Sequence, residues 1–204
     1  MLRLQCSTAN VTKINQSRLA VLKTSSDVYD YGLATGHGVP DDRPCIVRDF
    51  DGRFAPVDMI AFANDYKPGT RTDWAILRFE KIKTPNLVRY AINPVPSNSP
   101  IDNMEINFAR AKGLPDNKQT CHIEVLDFNN GDQKVSHTCR SIKGQSGTPV
   151  TKMVNGEESL IGLHIGELWM LKSPKTGRPS RKGYISLLDE EIVSEIKQII
   201  RDNP

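Results

Sequence analysis

The chain has 204 residues, of which 38% are hydrophobic and 25% charged. That is room for one large domain or two small barrels of ordinary globular composition. The formal net charge of +3 is too small to argue for a nucleic-acid partner by itself, and no apolar run is long enough to cross a bilayer, so no membrane partner is expected.

The opening MLRLQCSTANVTK lacks the apolar stretch of a secretory signal. The expectation is a cytoplasmic protein whose four cysteines, Cys6, Cys45, Cys121 and Cys139, are reduced thiols. No C-x-x-C pair is present, so their spacing suits no zinc site. Cys121 and Cys139 flank an expected hairpin and could face each other.

Short β-rich runs follow: RLAVLKT, YGLATG, PCIVRDF, RFAPVDMIAFA and WAILRF. Asp51-Gly52 is a hairpin signal between the third and the fourth. The segment TPNLVRYAINPVPSNSP carries Pro85, Pro94, Pro96 and Pro100. Proline removes ladder hydrogen bonds, so this reads as a linker over 85–100. A second set comprises MEINFARA, CHIEVLDF, KVSHTC, TPVTKMV, SLIGLHI and GYISLL, with Asn130-Gly131 as a further hairpin turn. Ile192, Ile196 and Ile199 then recur at three- and four-residue steps, the pattern of an amphipathic helix within 188–204. The expected organisation is an all-β unit over 1–84, the linker, a second β unit over 101–187 and a terminal helix. Evenly spaced short strands suit sandwiches or barrels.

Gly144-Gln145-Ser146-Gly147-Thr148-Pro149-Val150 is the sharpest chemical signal. A serine hydroxyl needs a base to take its proton, and its reaction needs N–H groups aimed at a developing oxyanion. Glycines on both sides permit the tight turn that supplies them. Pro149, Val150 and Thr151 argue that a strand follows, unlike the strand-to-helix elbow of α/β-hydrolases. His37 sits among small residues in Ala34-Thr35-Gly36-His37-Gly38, after a strand-like run. Asp73 directly precedes the apolar WAILRF, whereas Asp58 and Asp65 precede no such strand. Histidine, aspartate, serine is the order of one known triad. His122 and His137, in the presumed hairpin arms, read as structural.

ATGHGV, TDWAIL, GQSGTPV and LIGLHIG together resemble the histidine, aspartate, serine and pocket-strand segments of the chymotrypsin-like serine proteases. The similarity runs from about Arg18 to the terminal helix, and in its compactness it is closest to bacterial glutamyl endopeptidases and RNA-virus main proteases. It implies two antiparallel six-stranded β-barrels with a C-terminal α-helix and a polypeptide substrate. It further implies Ser146 as nucleophile, His37 as general base, Asp73 as orienting carboxylate, and the N–H groups of Gly144 and Ser146 as oxyanion hole. No metal or organic cofactor is implied, and the oligomeric state is left open. Gly38 stands where secreted animal members have a cysteine, and Gln145 where they have the aspartate that pairs with a freshly cleaved N-terminus. Activity is therefore expected without trimming.

By the same resemblance the specificity pocket would be lined by Arg140, Ser141, Lys143, His164, Gly166 and Glu167. His164 would favour Glu or Gln before the scissile bond, Glu167 a basic residue, and a buried structural role for His164 is the third reading. The basic run 172–182 is a solvated loop or an anion-binding segment. It lacks an aromatic, so base stacking is not expected there. A catalytically silent double barrel or an RNA-binding protein are the alternatives in function.

Overall fold

The structure, a computed structural model, describes residues 2–7, 14–40, 43–84, 87–109, 118–127, 133–142, 144–170 and 180–204. The first half contains β1 (Leu2–Ser7), β2 (Ile14–Leu22), β3 (Tyr29–Ala34), β4 (Cys45–Arg48), β5 (Phe54–Phe62) and β6 (Ala75–Glu80). They form a closed barrel in the order β1-β2-β3-β6-β5-β4, every pairing antiparallel. The second half contains β7 (Ala91–Ile92), β8 (Glu105–Ala109), β9 (Lys118–Asp127), β10 (Gln133–His137), β11 (Thr148–Val154), β12 (Glu157–Met170) and β13 (Ser180–Leu187). Its sheet runs β11-β8-β9-β10-β13-β12, and β12 pairs back onto β11, so six strands close a second ring. The short β7 lies parallel to β12 outside that ring. The expected architecture of two six-stranded barrels and a terminal helix is the one observed.

The strands explain their own composition. Leu19 and Val21 of β2, with Ala75, Leu77 and Phe79 of β6, fill the first barrel. The alternate residues Ala20, Leu22, Trp74 and Ile76 face a second cluster that also takes Leu160 and Leu163 from β12. Period-two alternation therefore sends successive apolar residues into two different cores. That is why LAVL and WAIL are apolar without interruption.

The helix α1 (Glu190–Asp202) closes the same inter-barrel cluster with Ile192, Val193 and Ile196. Each such burial is worth about 1.5–3 kcal/mol. Asp189 caps the helix by accepting a hydrogen bond from the Ile192 N–H at 2.9 Å.

One strand goes beyond the sequence reading, and one expectation needs correction. The strand β1 lies in the opening residues read above only for a signal segment, and its Leu2, Leu4 and Cys6 point inward in alternation with Arg3, Gln5 and Ser7. The cysteines are not reduced thiols: Cys6 is joined to Cys45 and Cys121 to Cys139. Cys6 and Cys45 are direct partners in the β1–β4 register that closes the first barrel. Residues 39 apart in sequence thus come face to face through a pairing that spacing alone does not reveal.

Candidate active site

Antiparallel register brings the first two candidates together. Ala34, at the end of β3, pairs with Ala75, at the start of β6. The residues just after β3 and just before β6 therefore share one end of the barrel. His37 occupies a 3₁₀ turn there, Gly36–Gly38. Its Nδ1 lies 2.7 Å from Asp73 Oδ2, and its backbone N–H donates to Asp73 Oδ1 at 2.9 Å. The Gly69 N–H donates to Asp73 Oδ2 at 2.7 Å.

Asp73 is fully buried, and burial alone would raise its carboxyl. The hydrogen bonds, from the His37 ring first, outweigh burial and hold it below the ordinary value. The rival carboxylates do other work. Asp58 is exposed and pairs with Arg78 at 3.1 Å. Asp65 is exposed, and its carbonyl accepts from the Thr72 hydroxyl at 3.0 Å.

Ser146 approaches through β2. The Arg18 N–H donates to the Ser146 carbonyl at 2.8 Å, and the Gly147 N–H donates to the His164 carbonyl at 2.8 Å. Gly147 has φ +81°, and a Cβ there would stand 2.0 Å from the Arg18 carbonyl oxygen, so only glycine fits the turn. The preceding residue, Ser17, underlies the histidine turn: a Cβ on Gly38 would lie 2.9 Å from Ser17 Oγ. Two adjacent residues of β2 therefore carry the His37 turn and the Ser146 turn side by side.

Ser146 Oγ donates to the Ile165 carbonyl at 3.4 Å and, among the described residues, makes no hydrogen bond to His37. Ile165 is free to accept because β12 bulges between His164 and Gly166. Gly144 has φ +86° and faces open space. Among the described residues no acceptor meets the N–H groups of Gly144 or Ser146. Gln145 is buried, and its Oε1 accepts from the Ile142 N–H at 2.7 Å, so the side chain ties the loop to itself.

Not every proposed pocket residue converges. The Ser141 hydroxyl donates to Glu167 Oε1 at 3.1 Å, and Gly166 stands half-open beside them. Arg140 is exposed, its backbone held at both N–H and carbonyl by the Gln119 side chain. Lys143 and residues 172–179 of the basic run lie outside the described residues. His164 is buried, with Nδ1 3.0 Å from His137 Nε2, and Phe108 packs against both rings. Among the described residues no partner meets His164 Nε2.

Sequence reasoning took His137 as structural and missed its union with His164. It also missed Arg18, Gly69 and Ile165, which act through backbone atoms and leave no side-chain signature.

Burial first, then the neighbouring His137, Arg18 and His37, pushes His164 from 6.5 down to about 3. Burial, then Lys182, pushes His137 down to about 4, against an opposing backbone hydrogen bond at Cys139. Between these values and 6.5 the unfolded chain binds protons that the folded chain refuses. Stability is therefore full above about pH 6.5 and falls as pH drops. At pH 5 each histidine costs about 2 kcal/mol. Urea unfolding at pH 7 and pH 5 should show that loss, and His164→Gln should remove about half of it. Equal losses in both proteins would contradict the assignment.

No family model and no curated protein matches the chain. Solved structures do match. A thermostable serine protease AL20 from an extremophilic microorganism is 12% identical with a TM-score of 0.59, over 90% of this chain and 88% of that one. Kallikrein-related peptidase 10, in complex with Zn2+, is 11% identical with a TM-score of 0.61, over 98% and 95%. GrC is 11% identical with a TM-score of 0.63, over 98% and 93%. At these identities the likeness is one of fold, and the chain has the double-barrel fold of the chymotrypsin-like serine proteases.

Proposed function

We propose that the protein is a serine endopeptidase with Ser146, His37 and Asp73 as its triad. The observation that carries the reading is the 2.7 Å contact of His37 Nδ1 with the buried Asp73 carboxylate, with the His37 turn and the Ser146 turn set on adjacent β2 residues, Ser17 and Arg18. Asp73, ionised, keeps the proton on His37 Nδ1 and leaves Nε2 as the base. On substrate binding Ser146 Oγ leaves the Ile165 carbonyl and gives its proton to Nε2 as it attacks the scissile carbonyl. Such contacts commonly tighten only in the complex. The Gly144 and Ser146 N–H groups receive the oxyanion. His37 then protonates the leaving amine, and water discharges the acyl-enzyme by the same route.

We further propose a preference for Glu or Gln before the scissile bond, read by His164. With Nδ1 engaged by His137, His164 offers Nε2 to a side-chain oxygen. Its depressed pKa makes it a neutral donor, which suits an amide as well as a carboxylate. Glu167 is partly committed to Ser141.

Cleavage sites mapped in a denatured proteome test this. His164→Ala should erase the preference, by about 10-fold or more in kcat/KM, since an unsatisfied buried donor costs about 1–3 kcal/mol. Cleavage after Lys or Arg, lost in Glu167→Gln, would overturn it.

A further inference from the structure

Beside the histidine pair, Cys121 Sγ, Cys139 Sγ and a His137 ring nitrogen all lie within 4.8 Å of one another. His137 is fully buried, and its Nε2 is taken by His164. Its Nδ1 is buried and has no well-aligned hydrogen-bond partner, the Cys139 backbone standing close to the ring. The ring cannot turn away. Phe108 packs on it at 4.6 Å between centroids, and a Cβ on Gly183 would stand 2.2 Å from the imidazole. A packed imidazole close to two sulfurs, with one nitrogen held by a second histidine, matches a metal ligand whose other nitrogen is fixed by an outer partner.

We infer that Cys121, Cys139 and His137 form a zinc site when the Cys121–Cys139 disulfide is reduced. Two thiolates and an imidazole are a borderline-soft set that suits Zn2+, with water completing four-coordination. The chemistry balances. A thiol or phosphine reductant supplies two electrons and leaves as disulfide or phosphine oxide, and the two cysteines take up two protons. Zinc then displaces those two protons, so binding strengthens as pH rises. The disulfide and the metal exclude each other, and the first belongs to oxidising surroundings, the second to reducing ones. The site escapes a search for C-x-x-C because its ligands come from β9 and from the end of β10, joined by strand pairing. Metal on Nδ1 leaves the His137 proton on Nε2, donated to His164 Nδ1, and so leaves the His164 proton on Nε2. That last link alone rests on the proposed pocket; the site itself does not.

The test uses the full chain carrying Cys6→Ala and Cys45→Ala, so that only one cysteine pair remains. Metal content and Co2+ spectra are read, not turnover, so the result is independent of the peptidase reading. The reduced protein should bind one Zn2+ per chain and the oxidised protein none. Cys121→Ser, Cys139→Ser and His137→Gln should each weaken binding by more than about 100-fold. His164→Gln, which removes the outer partner, should cost only about 10–100-fold. A reduced, folded protein that binds no Zn2+, or binding unchanged in the three ligand variants, would overturn the site. If reduction unfolds the chain, Zn2+ must restore its β-sheet circular dichroism, and failure to do so overturns the site equally.

Discussion

Ser146→Ala is expected to lower turnover of a denatured protein substrate by about 10⁴–10⁶, leaving the fold and its urea midpoint close to wild type. Every structural duty of residue 146 that holds the turn uses the backbone: its carbonyl accepts from Arg18, and the neighbouring Gly147 N–H reaches His164. The side chain makes a single 3.4 Å hydrogen bond to the Ile165 carbonyl, too long to carry much stability. Removing the hydroxyl should therefore remove the proposed nucleophile and little else. Residual activity above water would come from the oxyanion N–H groups and substrate binding. A variant with wild-type turnover would show that another group attacks.

Asp73→Asn should lower turnover by about 10⁴, through the tautomer of His37. Asp73 accepts three hydrogen bonds, two from backbone N–H groups of His37 and Gly69 and one at His37 Nδ1. An amide can satisfy only some of them. If its oxygen stays with the His37 N–H, its NH₂ takes the place of Oδ2, opposing the Gly69 N–H and facing Nδ1, and the imidazole must carry its proton on Nε2. A histidine in that form cannot accept the Ser146 proton. The defect should be in kcat, with KM nearly unchanged, because Asp73 is buried and does not touch substrate. Asp65→Asn is the control: its side chain is exposed and stands apart from this network, so it should be fully active. The reverse outcome, Asp73→Asn active and Asp65→Asn dead, would assign the carboxylate elsewhere.

Much of the fold was legible because the doubly buried strands β2 and β6 write it directly: LAVL and WAIL feed two cores at once. The helix was legible from Ile192, Ile196 and Ile199 for the same kind of reason. Strand β1 was not, although Leu2, Leu4 and Cys6 alternate cleanly, because six residues at a chain terminus carry little weight alone. The Cys6–Cys45 disulfide was hidden because it follows from strand order, whereas Cys121 and Cys139 could be placed face to face across the expected hairpin.

In the candidate site, His37, Asp73 and Ser146 were legible as residue types beside strands of suitable character. What joins them was not. The β3–β6 register, the Arg18 N–H that holds the Ser146 carbonyl, and the Gly69 N–H are backbone relations that almost any residue type could make. The His137–His164 pair was hidden for a related reason: each ring is unremarkable until β10, β12 and β13 lie side by side. A pocket read from His164 alone therefore lacked the partner that fixes which nitrogen is free.

The measurement that tests the peptidase proposal most directly is mass mapping of the folded wild-type protein after treatment with a fluorophosphonate. Such a probe reports an activated serine and needs no knowledge of the substrate. The triad predicts one phosphonyl group per chain, on the peptide containing Ser146, absent in Ser146→Ala and formed far more slowly in His37→Ala. No adduct on a folded sample, or an adduct on another serine such as Ser141, would contradict it.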